Sequence, residues 1–273
     1  MNRQTLVAEL FRKKTFLCIG LDTEPARLPK PLRGQPDGVF QFNCRIIDAT
    51  RDLCVAYKPN LAFYEARGAE GWLDFERTVR YIGSEHFIIA DAKRGDIGNT
   101  SRLYAEAFFR HLPCDAITVA PYMGADSVEP FLAFEGKWTI VLVLTSNAGS
   151  ADFQQQHVIS TERPLWEYVV ERAKHWGTPE NLMFVVGATH AEAFARVRAL
   201  VPEHFLLVPG IGAQGGDLEA VCRYGLTREG GLLVNASRSI LYASSGEDFA
   251  KAARAEAQRL QAQMARLLEA VLR

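Results

Sequence analysis

The sequence predicts an α/β fold, a (β/α)8 TIM barrel that forms a single domain over residues 1–273. Two observations carry this prediction. Eight short apolar runs alternate with stretches of helical periodicity, which is the element count of such a barrel at this chain length. Polar side chains directly follow most of these runs, and a barrel brings the carboxyl ends of all its strands to one face. A doubly wound parallel sheet is the alternative, because periodicity alone cannot show that a sheet closes.

Continuous apolar runs of this kind are typical of strands that are buried on both faces. The predicted strands are Phe16–Leu21, Leu53–Tyr57, Phe87–Ala90, Ala116–Ala120, Thr139–Leu144, Leu182–Val186, Phe205–Val208 and Gly231–Val234. The predicted helices between them are Phe40–Asp52, Trp72–Ile82, Arg102–His111, Ser127–Phe134, Pro164–Trp176, Ala191–Leu200 and Gly216–Tyr224. An amphipathic N-terminal helix precedes the first strand, and a long C-terminal helix, roughly Glu247 to Leu268, is expected to pack as the last outer helix.

The composition argues against several classes of function. A formal net charge of −1 argues against a nucleic-acid partner, for which a basic patch is expected. No apolar run approaches the roughly 20 residues of a membrane span, and the N-terminal stretch lacks the apolar core of a signal peptide. The five cysteines are odd in number and form no C-x-x-C motif, so we expect a reduced, cytoplasmic protein without a cysteine metal site.

The most informative stretch is Phe87–Ser101, where a buried apolar run changes abruptly to charged residues. Side chains two apart on a strand share a face, so Asp91 and Lys93 are expected to point the same way, with Asp96 beyond the strand end. A surface ion-pair cluster would be worth little. We favour a catalytic cluster, because the charges follow a buried strand at the position where barrels place active-site residues.

The segment Gly210–Gly215 matches the G-x-G-x-x-G pattern, which is a weak signal by itself. A dinucleotide site also needs an acidic residue at the end of the next strand, about 20 positions further on, and Leu232–Ser237 contains no acidic residue. A phosphate site fits better, because the loops after strands seven and eight hold phosphate in many barrels. Arg238 would then supply a charged clamp and Gln214 a neutral donor. The alternative is that the glycines serve only a tight turn.

A long polar loop follows strand five from Thr145 to Ser160, and at this place in a barrel we predict a lid rather than a disordered segment. The six histidines show no metal-ligand spacing, and no G-x-S-x-G nucleophile motif is present. The sequence therefore supports neither a covalent nor a metal mechanism, and we predict no cofactor and no metal.

Five motifs together resemble a known family, the orotidine 5'-phosphate decarboxylases, and in particular their longer bacterial type 2 subfamily. The motifs are Asp91–Ile97, Tyr57–Asn60, Thr145–Asn147, Pro209–Asp217 and Asn235–Arg238. The resemblance covers the chain from Asp22 to Arg238, with order and spacing in agreement. One departure is Ala148, where the subfamily favours proline; it concerns the stiffness of the loop and leaves the chemistry unaffected.

The resemblance implies cofactor-free decarboxylation of orotidine 5'-phosphate to UMP in de novo pyrimidine synthesis. It implies a charged catalytic array of Lys58, Asp91, Lys93 and Asp96, in which Lys93 donates a proton to C6 of the pyrimidine. It assigns substrate binding to Asp22 for a ribose hydroxyl, Ser146 for the pyrimidine, Gln214 and Arg238 for the phosphate, and also to Pro209, Ile97 and Thr100. It further implies a homodimer in which Asp96, Ile97 and Thr100 complete the neighbouring site.

Two other functions are weighed against this one. Sugar-phosphate lyases of the same superfamily, such as 3-keto-gulonate 6-phosphate decarboxylase or hexulose phosphate synthase, resemble the Asp-x-Lys-x-x-Asp pattern but use Mg2+. They need an acidic ligand at the end of strand two, where this chain has Lys58. A non-catalytic phosphate sensor would need Arg238 but not the charged array, and the array is complete.

Overall fold

The computed structural model describes residues 1–211 and 216–271. Its strands are β1 (Leu17–Gly20), β2 (Ala56–Lys58), β3 (Phe87–Arg94), β4 (Ala116–Val119), β5 (Trp138–Leu144), β6 (His157–Val158), β7 (Arg163–Pro164), β8 (Leu182–Val186), β9 (Leu206–Pro209) and β10 (Leu232–Ala236). Eight of them pair in parallel as a closed barrel in the order β1-β10-β9-β8-β5-β4-β3-β2, while β6 and β7 form a separate antiparallel ribbon. The barrel prediction is confirmed, and the doubly wound alternative is wrong.

The helices cover the outside of the barrel. They are α1 (Arg3–Lys13), α2 (Gly38–Thr50), α3 (Ala62–Glu65), α4 (Gly68–Ile82), α5 (Gly98–Glu106), α6 (Ala125–Leu132), α7 (Leu165–Ala173), α8 (Ala193–Leu200), α9 (Leu218–Gly225), α10 (Arg238–Leu241) and α11 (Phe249–Val271). Every predicted helix is present with shifted ends. None of the helices described is both long enough and apolar enough to cross a membrane.

Most barrel strands differ from their predicted bounds by one or two residues, and two differ by three or more at one end for physical reasons. The second was predicted to begin at Leu53, but Leu53 and Cys54 are buried in the turn that ends α2, and the strand begins at Ala56. Strand β3 was predicted to end at Ala90, yet it continues to Arg94 through an irregular segment that carries the charged residues.

The core fills the barrel and the layer between barrel and helices, and every residue of β1, β4 and β8 is buried. Trp138 contacts Phe87 edge-to-face with ring centroids 6.0 Å apart. Outside the barrel, Phe249 of α11 stacks on Phe42 of α2 at 5.0 Å. The buried face of α11 packs against α2, α10 and β1, so this helix packs on its own domain as predicted.

A partly buried arginine joins the elements at the amino-terminal end of the barrel. The guanidinium of Arg198, on α8, donates hydrogen bonds to the carbonyl oxygens of Val201 at 3.3 Å, His204 at 2.5 Å, Gly225 at 2.8 Å and Gly231 at 2.8 Å. Burial lowers the pKa of Arg198 to about 9. The side chain thus links the end of α8, the end of α9 and the segment before β10.

Two buried histidines predict how stability changes with pH. Burial, with Lys13 beside His86 and Arg3 and Arg198 beside His204, lowers the pKa of each imidazole to about 4. The unfolded chain, with ordinary histidine pKa values near 6.5, binds more protons below that pH. The free energy of unfolding is therefore expected to fall as the pH decreases from 6.5 to 4, by up to about 3 kcal/mol for each histidine.

Urea unfolding at pH 7 and at pH 4.5 measures this loss. A His204→Phe variant should lose part of the pH dependence, whereas the same change at exposed His175 should leave it intact. An unaltered pH dependence in His204→Phe would contradict the prediction for that residue.

Candidate active site

A cavity of about 340 Å³ opens on the face where the barrel strands end. Seven of the eleven predicted site residues line it: Asp22, Lys58, Asp91, Lys93, Ser146, Pro209 and Arg238. They lie at or just beyond the carboxyl ends of β1, β2, β3, β5, β9 and β10, so the barrel brings together residues that are far apart in the chain. The predicted gathering of polar strand ends on one face is confirmed.

The charged centre of the cavity is one carboxylate held between two ammonium groups. Lys58 Nζ lies 2.6 Å from Asp91 Oδ2, and Lys93 Nζ lies 2.5 Å from Asp91 Oδ1. Lys58 and Asp91 are only 4% and 7% exposed, whereas the Lys93 side chain is 49% exposed. Lys58 and Asp91 therefore lie on the floor of the cavity, and Lys93 reaches into its open part.

The electrostatics keep the two buried partners charged. Burial would raise the pKa of Asp91, but the ammonium groups of Lys58 and Lys93 hold it well below its usual range. Burial would likewise lower the pKa of Lys58, but the carboxylates of Asp91 and Asp22 raise it above its usual range. At neutral pH the floor of the cavity is thus an ion pair between the Asp91 carboxylate and the Lys58 ammonium, and Lys93 Nζ contacts the other oxygen of the carboxylate.

A bulge in β3 produces this arrangement. Ala90 pairs with Ile117 and Arg94 with Val119, so three residues of β3 oppose the single residue Thr118 of β4. Lys93 has a backbone φ of 48°, in the left-handed region that a lysine rarely adopts. The sequence correctly predicted that Asp91 and Lys93 lie together, but by regular strand alternation, whereas the structure achieves it through an irregular strand.

Thr118 is a site residue that the sequence analysis missed. Its hydroxyl accepts a hydrogen bond from the backbone N–H of Lys93 at 2.9 Å and donates one to Asp91 Oδ1 at 3.1 Å. Threonine is common in strands, and Thr118 lies inside an apolar run, so its residue type gave no signal. Its place at the end of the fourth strand was the only available indication.

Three polar atoms on the cavity side of the barrel are buried without a hydrogen-bond partner among the described residues. They are Asp22 Oδ1, Ser146 Oγ and Asn235 Oδ1. An unpaired buried polar atom costs on the order of 1–3 kcal/mol, so these atoms are available to bind the polar groups of a ligand. Asn235, like Asn60, lines the cavity within a motif that the sequence analysis quoted without assigning it a role.

The predicted phosphate site is described in part. Gly210 lines the cavity with φ of 101°, a conformation that glycine adopts readily and other residues avoid, and Arg238 lines it from the end of β10. Gln214 lies outside the described residues, so its predicted role stays a prediction.

The structure does not bring Asp96, Ile97 or Thr100 into the cavity of their own chain. The carboxylate of Asp96 accepts the backbone N–H of Ile97 at 2.7 Å, at the start of α5. Ile97 is 56% exposed and Thr100 is also exposed. The predicted roles of these three residues in a neighbouring site therefore stay predictions.

The loop after β5 is partly structured. Residues Ala148–Asp152 form a 3-10 turn, and the β6–β7 ribbon follows. The side-chain oxygen of Gln154 accepts the backbone N–H of Thr145 at 2.8 Å, which anchors the loop to the end of β5. Its predicted role as a lid stays a prediction.

Comparison with known proteins matches residues 15–254 to the model of the Orotidine 5'-phosphate decarboxylase / HUMPS family. The orotidine 5'-phosphate decarboxylase of Bacteroides fragilis is 56% identical over 275 residues, covering 100% of both chains. That of Flavobacterium johnsoniae is 55% identical and covers 98% of this chain and 99% of the relative.

Solved structures agree with these relatives. The OMP decarboxylase of Leishmania donovani has a TM-score of 0.85 at 37% identity, covering 98% of this chain and 99% of that one. A Toxoplasma gondii structure described as a putative orotidine-monophosphate-decarboxylase has a TM-score of 0.89 at 35% identity, covering 98% and 97%. The resemblance drawn from the five motifs is confirmed: this chain is an enzyme that belongs to the orotidine 5'-phosphate decarboxylase / HUMPS family.

Proposed function

We propose that this protein decarboxylates orotidine 5'-phosphate to UMP and CO2 in de novo pyrimidine synthesis, without a cofactor and with Lys93 as the proton donor to C6. The observation that carries the proposal is the Asp91 carboxylate held between Lys58 and Lys93 in a cavity that is also lined by Asp22, Arg238 and neutral polar and apolar residues. Bacterial relatives with this activity in their names match over the full length of the chain.

The chemistry needs more than repulsion between two anions. Loss of CO2 leaves a carbanion at C6 with no adjacent group to delocalise it, so the required barrier reduction lies near the upper end of the ~8–23 kcal/mol usual for enzymes. Asp91 beside the substrate carboxylate would contribute at most about 4 kcal/mol, for like charges about 4 Å apart at an effective dielectric of 20. Most of the effect must therefore come from stabilisation of the developing charge.

Lys93 is placed to supply that stabilisation. Its ammonium group contacts the fixed anion of Asp91 and is half exposed to the cavity, where a substrate would lie. As the C6–CO2 bond breaks, the electron pair stays on C6, and the ammonium stabilises this charge and then gives C6 a proton. Lys58, fully paired with Asp91 on the floor, keeps that carboxylate ionised and oriented.

Substrate binding is proposed for the remaining wall of the cavity. Asp22 would accept a hydrogen bond from a ribose hydroxyl and Ser146 would bind the pyrimidine, which would pair the two buried atoms that have no partner among the described residues. Arg238 and Gln214 would bind the phosphate beside Pro209. Binding energy from the phosphate, which is remote from the reacting carbon, would hold the substrate in its reactive geometry.

We further propose a cytoplasmic homodimer in which Asp96, Ile97 and Thr100 reach the partner's cavity. The loops after β3 and β4 expose large apolar side chains on this face, with Ile97 56%, Tyr122 86% and Met123 50% exposed. Burial of such side chains against a second copy would stabilise the dimer. The charged array would then gain its fourth member, Asp96, from the partner.

The test follows the fall in absorbance of orotidine 5'-phosphate with the purified chain in excess EDTA. Turnover that is unaffected by the chelator supports the proposal. Absence of turnover by the folded protein, with activity on a sugar phosphate after addition of Mg2+, would support the metal-dependent lyase instead. That outcome is not expected, because the position where those enzymes need an acidic ligand holds Lys58, which is already paired with Asp91.

A further inference from the structure

We propose that Thr118 is a positioning residue that holds Lys93 in its reactive conformation. A single hydroxyl group contacts both members of the Lys93–Asp91 pair: it accepts the backbone N–H of Lys93 at 2.9 Å and lies 3.1 Å from Asp91 Oδ1. Thr118 is 1% exposed and sits on β4, directly opposite the bulge of β3. The inference concerns the reaction proposed above and rests on it.

The hydrogen bond between Thr118 and the backbone of Lys93 stabilises a residue in a strained conformation. Lys93 has φ of 48°, which costs a non-glycine residue on the order of 1–2 kcal/mol. Because the residue lies inside a bulge, its N–H is displaced from the regular ladder between β3 and β4. The Thr118 hydroxyl replaces the ladder carbonyl as the acceptor, so the strained conformation keeps its backbone hydrogen bond.

The hydrogen bond from Thr118 to the Asp91 side chain follows from the one that Thr118 accepts from the Lys93 backbone. A hydroxyl that accepts from Lys93 N–H has its own proton free to donate, and the nearby acceptor is Asp91 Oδ1. The same carboxylate oxygen receives Lys93 Nζ at 2.5 Å. Thr118 therefore fixes the main chain of the lysine and the orientation of the carboxylate with which its ammonium pairs. Loss of the hydroxyl should release both, while loss of the methyl group should release neither.

Three variants distinguish the effect of the Thr118 hydroxyl from the effect of side-chain packing. Thr118→Val keeps the shape and removes the hydroxyl, whereas Thr118→Ser keeps the hydroxyl and removes a methyl group. Thr139→Val is the matched control, since Thr139 is also a fully buried barrel threonine, its hydroxyl bonds to no described residue, and it lies outside the cavity lining. Urea unfolding of all three checks that each variant is folded under assay conditions.

We expect Thr118→Val to lower kcat by about 10–100-fold while KM changes less than threefold, because misplacement of a reacting group by about 1 Å can cost on the order of 100-fold. Thr118→Ser should recover most of kcat, and Thr139→Val should match the native chain. Equal losses in the valine and serine variants at position 118, or native kcat in Thr118→Val, would overturn the inference.

A crystal structure of Thr118→Val gives a readout that does not depend on turnover. Lys93 is expected to leave the left-handed region, and its Nζ to move out of hydrogen-bond distance of Asp91. An unmoved Lys93 would overturn the inference even if activity fell. If the native chain fails to decarboxylate orotidine 5'-phosphate, the proposed reaction is wrong, and this structure alone still decides whether Thr118 positions Lys93.

Discussion

Replacement of Lys93 by alanine is expected to lower kcat by at least about 10⁴-fold. The change removes a proton donor, worth about 10²–10⁴-fold, and a cation beside the developing carbanion, worth about 10²–10³-fold when a preorganised donor is lost. Because the Lys93 side chain is half exposed, the variant should fold normally. Single-turnover rates with saturating orotidine 5'-phosphate measure the loss.

A second substitution at Lys93 distinguishes the loss of the ammonium group from the relief of backbone strain. Lys93→Gly removes the same ammonium but relieves the cost of the positive φ, so it should be as inactive as Lys93→Ala and somewhat more stable. The exposed Lys251 on α11 provides the control, and Lys251→Ala should keep native kcat. A kcat within tenfold of native in both Lys93 variants would remove this residue from the mechanism.

Arg198→Met is expected to lower the free energy of unfolding by about 3–5 kcal/mol. Methionine fills much of the same volume but donates no hydrogen bond, so four carbonyl oxygens at the amino-terminal end of the barrel lose the guanidinium that they share. Each unpaired buried carbonyl costs on the order of 1–3 kcal/mol, which local rearrangement and water will partly recover. Urea unfolding at pH 7 measures the change.

The controls for this prediction are a conservative change and an exposed one. Arg198→Lys should also destabilise, because an ammonium cannot match the planar fork that reaches carbonyls of three elements. Arg223→Met, at an exposed position of α9, should change stability by less than about 0.5 kcal/mol. A loss below about 1 kcal/mol in Arg198→Met would show that the carbonyls find other partners easily.

The fold could be predicted from the sequence because its signals are local. Most barrel strands are short apolar runs buried on both faces, so composition alone locates them, as at Leu182–Val186 where prediction and structure agree residue for residue. The second strand was misplaced because Leu53 and Cys54 are apolar for a different reason, burial in a helix-ending turn. Apolar character reports burial and does not say which element is buried.

The candidate site was only partly predictable, because its geometry depends on pairing between strands. Asp91 and Lys93 stood out as charges after a buried run, but the bulge that joins them is set by the register of β3 against β4. Thr118 and Arg198 act through contacts with residues that are distant or in an irregular segment, and no local pattern marks them. Asp96 lies outside the cavity lining of its own chain, so its catalytic role stays a prediction from the family resemblance.

Closure of the barrel has a consequence for how the protein folds. Strand β1 pairs with β10, Leu17 opposite Val234, so the last strand to be synthesised completes the wall begun by the first. Asp22 and Arg238 follow these two strands, and the cavity is therefore whole only after this pairing forms. Contacts of such large sequence separation form slowly, because a long loop must close before they contribute stability. Refolding should thus regain the ability to bind a nucleotide in its slowest phase, when β10 enters between β1 and β9.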